Sequence, residues 1–453
     1  MREFSSFRDP SGVVLIQDGQ VIRQVNRCYR EQYDALMAKL YAPLTERGLL
    51  IPHEELGQAP EDENAYRLIR PVQIPYISYP YEWSFGQLQD AALTTLRIHR
   101  AALDQDMILK DASAYNIQFL NGRPVLIDTL SFDFYQPGSP WPAYGQFCRH
   151  FLAPLMLMAH KDLRLSQLMR VYIDGVPLDL ASTLLGGRGG FAAKQHIHWH
   201  ARSTQRHGED GKGEVRKVSI SKFSHQAMID SLLRIVGGLK LKGVETEWGD
   251  YYAHTNYSDS AAQSKEALVR EFLEEVKPKT AWDFGANDGR YSRLALAYGG
   301  SVVAFDVDPV AVERSYRAVK AAKEPMLPLV LDLTNPSPAM GFANRERVGI
   351  AERQKPDCIL MLAVIHHLVI SNNLPFSMLA EWLSSLTGSL IIEFVPKEDS
   401  QVRTLLATRD DIFPDYTKEG FERAFSPYFT IVRQRPVEGS ERTLYLMRAK
   451  GVQ

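Results

Sequence analysis

The stretch Asp283-Phe-Gly-Ala-Asn-Asp-Gly-Arg-Tyr-Ser292 decides how the second half of the chain folds. It completes an apolar run at 280–284 that predicts a buried strand, and residues 290–298 have helical composition. Gly285 and Gly289 permit a sharp turn and the close approach of a ligand that a Cβ would hold off. The stretch therefore predicts a strand-to-helix turn whose backbone N–H groups point outward.

A second apolar strand follows this turn and ends in an acid. Ser301-Val-Val-Ala-Phe-Asp306 places a carboxylate about 20 residues after the glycines, the spacing expected when an acid holds a ribose diol. Asn287 stands where the dinucleotide-binding pattern G-x-G-x-x-G has its second glycine, which makes a nicotinamide oxidoreductase the weaker interpretation.

The form Asp283-x-Gly285-x-x-x-Gly289 resembles the first motif of the class I S-adenosylmethionine-dependent methyltransferases. The resemblance implies that the turn lines the methionine half of S-adenosyl-L-methionine, that Asp306 binds the ribose hydroxyls, and that Asp332 faces the adenine amino group. The alternative for each acid is a helix N-cap or an ion pair. The cofactor-binding residues implied in this way are Asp283, Gly285, Ala286, Asn287, Gly289, Asp306, Val307, Asp332, Leu333 and Ala363.

The segment Cys358-Ile-Leu-Met-Leu-Ala-Val-Ile-His-His-Leu368 is similar to the fourth motif of the same family, where substrate and methyl group meet. His366 and His367 are the catalytic candidates, because a histidine with a pKa near neutrality accepts a proton from an amine or hydroxyl nucleophile. Neighbouring residues on a helical turn point about 100° apart, so at most one of them faces the methyl group. The alternative is that both are structural.

Strands and helices alternate through the C-terminal half. The predicted elements are strand 280–284, helix 290–298, strand 301–306, helix 309–322, strands 327–332 and 357–362, helix 375–386, strand 388–394, and final strands 428–433 and 443–447. The alternation predicts an α/β fold, and the resemblance implies a Rossmann-like seven-stranded methyltransferase sheet that ends in an antiparallel hairpin. The longer connection 335–347 is predicted either to fold beside the adenine, with Phe342 packing on it, or to be a solvated helix start.

The N-terminal half reads as an α+β domain and carries a second resemblance. Asp111-x4-Asn116, followed by an Asn-Gly turn and a strand ending at Asp128, looks like the catalytic loop and metal-binding acid of kinase-like phosphotransferases. In those enzymes the first Asp orients the acceptor hydroxyl, and the Asn and second Asp hold magnesium. The sequence lacks their glycine-rich loop and strand lysine, so a degenerate fold kept for substrate selection is the competing hypothesis.

Composition limits the classes of function. A chain of 453 residues with 45% hydrophobic and 23% charged residues is typical of a soluble protein of two or more domains. We expect an N-terminal domain at 1–200, a linker rich in Gly, Arg and His at 201–223, and a methyltransferase domain at 224–453. The net charge of −2 argues against a nucleic-acid partner. Three scattered cysteines, the lack of a signal peptide and short apolar runs predict a cytoplasmic protein that is not bound to a membrane.

These observations predict a methyltransferase that passes a methyl group from S-adenosyl-L-methionine to a small-molecule, sugar or peptide acceptor by direct displacement. One alternative is an RNA methyltransferase, which the basic residues of the linker favour. The other is a non-catalytic nucleotide-binding sensor.

Overall fold

The computed structural model describes residues 2–57, 62–186, 193–197, 219–241, 259–407 and 409–451. Contacts divide the chain into two units: Met1–Val244 with Ala339–Arg347, and Glu245–Pro338 with Val348–Gln453. Most of the predicted linker, 201–218, lies outside the described residues. Among the residues that are described, no helix combines the length and hydrophobicity that a membrane span requires.

The first unit contains a four-stranded antiparallel sheet in the order β1-β2-β4-β3 and two short antiparallel pairs, β5 with β8 and β6 with β7. Its strands are β1 Gly12–Gln17, β2 Gln20–Asn26, β3 His53–Glu55, β4 Ala65–Pro71, β5 Met107–Leu109, β6 Ile117–Leu120, β7 Arg123–Leu126 and β8 Phe132–Phe134. Its helices are α1 Arg30–Leu36, α2 Ala42–Glu46, α3 Phe85–Asp104, α4 Tyr144–Phe147, α5 Ala153–His160, α6 Leu168–Val171, α7 Leu178–Leu185 and α8 Lys222–Gly238.

Helix α3 is the central helix of this unit, and its sequence explains both its start and its buried face. Ser84 and Gln87 form a capping box, in which each side chain bonds the other residue's backbone N–H. Apolar residues at helical spacing, including Leu88, Ala92 and Leu96, are fully buried. Helix α8 also packs on α3, so the contact boundary at 244 lies after α8, whereas the sequence predicts a boundary at 224.

The second unit is built on a seven-stranded sheet in the order β11-β10-β9-β12-β13-β15-β14. The first five strands in this order are parallel, and β15 is antiparallel to both neighbours. This confirms the predicted α/β class and the antiparallel terminal hairpin. The strands are β9 Thr280–Phe284, β10 Ser301–Asp306, β11 Met326–Val330, β12 Cys358–Met361, β13 Ser389–Phe394, β14 Phe429–Pro436 and β15 Thr443–Ala449. The helices are α9 Asp259–Val276, α10 Arg290–Leu296, α11 Pro309–Ala322, α12 Phe376–Leu386, α13 Ser400–Leu406 and α14 Lys418–Phe425.

The parallel register brings the strand ends to one edge of the sheet. Phe284 of β9 pairs with Phe305 of β10 and with Met361 of β12, and Met361 pairs with Ile392 of β13. These strands are almost wholly apolar and buried, as expected for a sheet covered on both faces. The loops that leave the carboxyl ends of these four strands therefore start within about two residues of the same level.

The connection between β11 and β12 departs from the prediction. Residues 339–347 belong to the first unit, where the Glu346 carboxylate accepts two hydrogen bonds from Arg8 at 2.9 and 3.0 Å. The ring of Phe342 packs edge-on against Phe7, with 6.2 Å between the ring centroids. Phe342 therefore packs on Phe7 within the first unit, and its placement beside the adenine stays a prediction.

A buried ion pair joins α9 to β13 in the second unit. The Lys265 ammonium lies 2.7 Å from a carboxylate oxygen of Glu393, and the side chains are only 3% and 0% exposed. Burial lowers the pKa of Lys265, and the Glu393 carboxylate acts against that shift. Removing one member of such a pair leaves an uncompensated charge in a low-dielectric interior, which typically costs about 3–5 kcal/mol.

We therefore expect Lys265→Met to lower the free energy of unfolding of the second unit by about 3 kcal/mol or more, measured by urea denaturation. Lys265→Met/Glu393→Leu removes both charges and should recover much of that loss. Lys277→Met is the matched control, because its pair with Glu274 is 66% and 61% exposed, and should change stability by under about 1 kcal/mol. Equal effects of Lys265→Met and Lys277→Met would contradict the importance of the buried pair.

Candidate functional site

The glycine turn after β9 is held against the neighbouring strand β10. The backbone N–H groups of Gly285 and Ala286 both donate to the carbonyl of Phe305, at 2.8 and 2.9 Å. The expectation that the N–H groups of the turn point outward is therefore wrong for these two residues, because β10 supplies their acceptor. Gly285 has a φ of 78°, and a Cβ placed on it would come within 2.2 Å of the Val364 side chain. Only glycine fits this position without rearrangement.

Asp306 lies at the end of β10 and is tied to the glycine turn. Its two carboxylate oxygens accept the backbone N–H of Asn287 at 2.8 Å and of Asp308 at 2.9 Å. Burial raises the pKa of Asp306 to about 6, although these hydrogen bonds act in the opposite direction. A carboxylate has about four acceptor positions, so this one can still accept a hydrogen bond from a further hydroxyl donor.

Asp283 lies in the interior beneath the turn. Its carboxylate accepts a hydrogen bond of 2.6 Å from the hydroxyl of Ser292, on α10. Burial raises the pKa of Asp283 to about 6, with a further contribution from the negative charge of Asp306. The two carboxylates are thus coupled through the turn. Ser292 ends the motif that contains Asp283, but the motif alone predicts no role for its hydroxyl.

The implied adenine side of the site is more open. Asp332 lies two residues beyond β11 and is exposed, and its carboxylate accepts hydrogen bonds from the backbone N–H and the hydroxyl of Thr334, at 2.8 and 2.7 Å. Val307 is 55% exposed, which is unusual for a large aliphatic side chain directly after a buried strand. Leu333 is half-buried. All three follow strands that end at the same edge as the glycine turn.

The fourth motif leaves β12 through a left-handed residue. Ala363 has a φ of 57°, a conformation that costs a non-glycine residue free energy and that clusters at functional sites. His366 is 1% exposed, and its Nδ1 has no hydrogen-bond partner within the described part of the chain. The rings of His366 and His367 lie 4.1 Å apart, centroid to centroid.

Both histidines are neutral at pH 7. Burial holds the pKa of His366 well below its usual value and lowers the pKa of His367 to about 4, and the guanidinium of Arg442 acts in the same direction on both. A neutral imidazole accepts a hydrogen bond from a hydroxyl or amine, but a pKa this low makes it a weak proton acceptor. The two histidines are therefore better suited to orienting a nucleophile by a hydrogen bond than to accepting its proton.

Sequence reasoning missed a charged cluster beside the histidines. The ammonium of Lys265 lies 4.9 Å from the ring centroid of Tyr291 in helix α10. The guanidinium of Arg442 lies 3.8 Å from the Glu393 carboxylate. Arg442 also forms a bidentate pair with Asp399, at 2.7 and 3.2 Å. The sequence does carry a signal for this cluster, because the acidic Glu393 interrupts the otherwise apolar strand Ser-Leu-Ile-Ile-Glu-Phe394.

The kinase-like residues of the first unit meet in one contact network. The amide of Asn116 donates to the hydroxyl of Ser131 at 3.4 Å, and that hydroxyl bonds the carboxylate of Asp128. The pKa of Asp111 is raised, first by burial and then by the charge of Asp128. Arg23 of β2 forms an ion pair with Asp128, and both side chains are largely buried. In the described part of the chain, no group of three or more His, Cys, Asp or Glu side chains is arranged to hold a metal ion.

Comparison with known proteins gives a close relative and several partial structural likenesses. No family model matches the chain. Solved structures with partial likeness include the N-methyltransferase NodS of Bradyrhizobium japonicum WM9 in complex with S-adenosyl-L-homocysteine, which is 11% identical, with 45% of this chain and 100% of NodS covered and a TM-score of 0.32. The magnesium protoporphyrin IX methyltransferase ChlM of Synechocystis PCC 6803 with bound SAH is 15% identical, with 45% and 92% covered and a TM-score of 0.31.

The bifunctional kinase-methyltransferase WbdD is 17% identical, with 42% of this chain and 40% of WbdD covered and a TM-score of 0.28. Likenesses of this size carry no weight for function, and the fold assignment rests on the strand order. The nodulation protein NoeA of Rhizobium meliloti (strain 1021) is different in kind, because it is 36% identical over 457 residues that cover 98% of this chain and 95% of NoeA. The chain therefore belongs to the family of the nodulation protein NoeA, and its second unit has the class I methyltransferase fold.

Proposed function

We propose that the chain is an S-adenosyl-L-methionine-dependent methyltransferase whose second unit binds the cofactor. The observation that carries the proposal is the carboxylate of Asp306, which is buried at the carboxyl edge of the sheet and receives the N–H of Asn287 from the glycine turn. This arrangement fixes an acceptor for two ribose hydroxyls beside a backbone that lies open to a ligand at Gly285.

The remaining cofactor contacts follow from the order of the strands. In this proposal the turn residues Asp283, Gly285, Ala286, Asn287 and Gly289 line the methionine half, and Ala363 closes the same end from β12. Asp332 and Leu333, beyond β11, flank the adenine, and the exposed side chain of Val307 packs on its face. The alternative that Asp332 only caps its own turn is supported by its two bonds to Thr334.

The cofactor, when bound, supplies a methyl group that is already activated by its sulfonium. The chain therefore has to align an acceptor in line with that methyl group and to exclude water. His366 is the proposed orienting group, because its unpartnered Nδ1 is held neutral and can accept a hydrogen bond from the nucleophile. His367 is the second candidate and is less buried.

The first unit is proposed to bind or present the acceptor without transferring phosphate. The ion pair between Arg23 and Asp128 supports this, since the guanidinium takes the carboxylate that a magnesium ion would need. The hydroxyl of Ser131 and the backbone N–H of Leu130 use further acceptor positions of the same carboxylate. A metal–nucleotide complex would have to break a largely buried ion pair before it could bind.

Calorimetry with S-adenosyl-L-homocysteine tests the role of Asp306. Asp306→Asn replaces an acceptor of two ribose hydroxyls and should weaken binding about tenfold or more, at roughly 1.5–3 kcal/mol for each charge-assisted bond. Asp410→Asn is the control, because this acid in the same unit is exposed and its side chain forms no hydrogen bond or ion pair with the described residues. Equal affinity of wild type and Asp306→Asn would exclude Asp306 from the site.

The same titration has a predicted pH dependence. Hydroxyl donors bind the ionised carboxylate, and the pKa of Asp306 is about 6 in the free protein, so the carboxyl group must lose its proton to bind. The affinity for S-adenosyl-L-homocysteine should therefore rise as the pH increases from 5 to 7. Near pH 6, binding should release protons, which calorimetry in buffers of different ionisation enthalpy measures. The rise should be smaller in Asp306→Asn. An affinity that falls over this range would contradict the assignment.

His366→Ala tests the orienting role. Transfer of tritiated methyl from the cofactor to a small-molecule extract of the source organism should fall at least about tenfold, as typical for loss of a positioned catalytic group. Affinity for S-adenosyl-L-homocysteine should stay within about twofold, because the imidazole does not contact the cofactor in this proposal. If transfer is retained and the variant only melts at a lower temperature, His366 is structural.

Manganese titration followed by electron paramagnetic resonance tests the first unit. The wild type should show no manganese bound with ATP and no ATP hydrolysis above background, whereas Arg23→Met frees the Asp128 carboxylate and should create a manganese site. Arg27→Met, an exposed arginine just beyond the same strand, serves as the control. ATP hydrolysis by the wild type that is abolished in Asp128→Ala would establish an active phosphotransferase and refute the proposal.

A further inference from the structure

A cavity of about 470 Å³ lies in the second unit, outside the cofactor contacts described above. It is lined by two segments: the residues that follow β13, including Glu398 and Asp399, and the turn between β14 and β15, including Ser440, Glu441 and Arg442. The register fixes its place in the sheet, because Phe394 at the end of β13 pairs with Thr443 at the start of β15. The cavity is therefore at the carboxyl edge.

This position is one strand away from the fourth motif. β13 pairs in parallel with β12, whose carboxyl end leads through Ala363 to His366. The guanidinium of Arg442, in the cavity wall, contributes to the lowered pKa of both His366 and His367, so it lies within electrostatic reach of them. The cavity thus lies one strand beyond the fourth motif, on the side away from Asp306.

The floor of the cavity is rigid and electrically balanced. Arg442 is 4% exposed and is fixed by its bidentate pair with Asp399, and its third nitrogen lies 3.8 Å from the carboxylate of Glu393. Glu393 is itself paired with Lys265. Because each of these charges already has a protein partner, the floor offers directed hydrogen-bonding groups and no free positive charge to attract an anion.

The rim of the cavity is acidic. Glu398 and Glu441 are exposed, and neither forms an ion pair with any residue in the described part of the chain. The wall therefore carries one guanidinium against three carboxylates, which repels phosphate groups. Carboxylates accept hydrogen bonds from hydroxyl groups, so the two exposed glutamates suit a ligand that carries hydroxyls.

We infer that this cavity is the acceptor subsite and that it takes a hydroxyl-rich acceptor of the sugar class without phosphate groups; the inference rests on the proposed methyltransferase function. A nucleic acid does not fit an acidic rim, since its phosphates would lie against Glu398 and Glu441. An acceptor with several hydroxyls satisfies both carboxylates at once and is held at the edge from which His366 is reached.

The test uses the 453-residue chain, tritiated S-adenosyl-L-methionine and a small-molecule extract of the source organism. Anion exchange separates the extract into an unretained pool and a retained, anionic pool. Label should appear in the unretained pool only, and periodate, which cleaves vicinal diols, should destroy the acceptor when that pool is treated beforehand. Label confined to the retained pool, or insensitivity to periodate, would overturn the inference.

Substitutions locate the acceptor in the cavity. Glu398→Gln/Glu441→Gln should raise the amount of unretained pool needed for half-maximal labelling at least about tenfold, the scale of one charge-assisted hydrogen bond. Glu438→Gln is the matched control, because it is an exposed glutamate of the same turn outside the cavity lining. Hydrogen exchange gives an independent readout: the unretained pool should protect residues 437–442 in the wild type and in Glu438→Gln but not in the double variant.

The outcomes separate this inference from the proposed function. If S-adenosyl-L-homocysteine does not bind the wild type in calorimetry, the proposed function fails and the inference falls with it. If it binds with equal affinity to the wild type and to Glu398→Gln/Glu441→Gln, and these two proteins label the unretained pool alike, only the acceptor subsite is refuted.

Discussion

The two hydrogen bonds from the glycine turn to the carbonyl of Phe305 set the geometry on which the site depends. They require a left-handed backbone at Gly285, which in turn allows Val364 of the fourth motif to pack directly over the turn. Once the turn is fixed, the N–H of Asn287 reaches Asp306. Three strands, β9, β10 and β12, are thereby linked at one edge before any ligand binds.

The same edge concentrates charge that an ordinary interior would avoid. Asp283 and Asp306 are buried and their pKa values are raised, while Lys265 and Arg442 are buried with acidic partners. Burying charges costs stability unless each one is paired or hydrogen-bonded, and here each has a partner. Preorganised dipoles and charges are what a site needs in order to bind a charged, polar cofactor without reorganising. The cluster and the cavity beside it are thus parts of a single polar edge.

How much of the fold and of the site the sequence predicts depends on how far apart in the chain the interacting residues lie. Strands 280–284 and 301–306 and helix 309–322 have the predicted bounds, because apolar runs, glycine turns and the Asp308 N-cap are local signals. The direction of the turn's N–H groups was missed because it depends on where β10 pairs. Two ion pairs, Lys265 with Glu393 and Arg23 with Asp128, join residues more than 100 positions apart in sequence. No local sequence pattern predicts such pairs. The transfer of residues 339–347 to the first unit was missed for the same reason.

The central claim is that the glycine turn and the ends of β10 and β11 form one cofactor site. Hydrogen–deuterium exchange of the full-length protein, with and without saturating S-adenosyl-L-homocysteine, tests it most directly. The account predicts slower exchange in 285–290, 306–308 and 332–334 together, with no change in the first unit around Asp111 and Asp128. Binding without protection of these three segments, or with protection centred on the first unit, would contradict it.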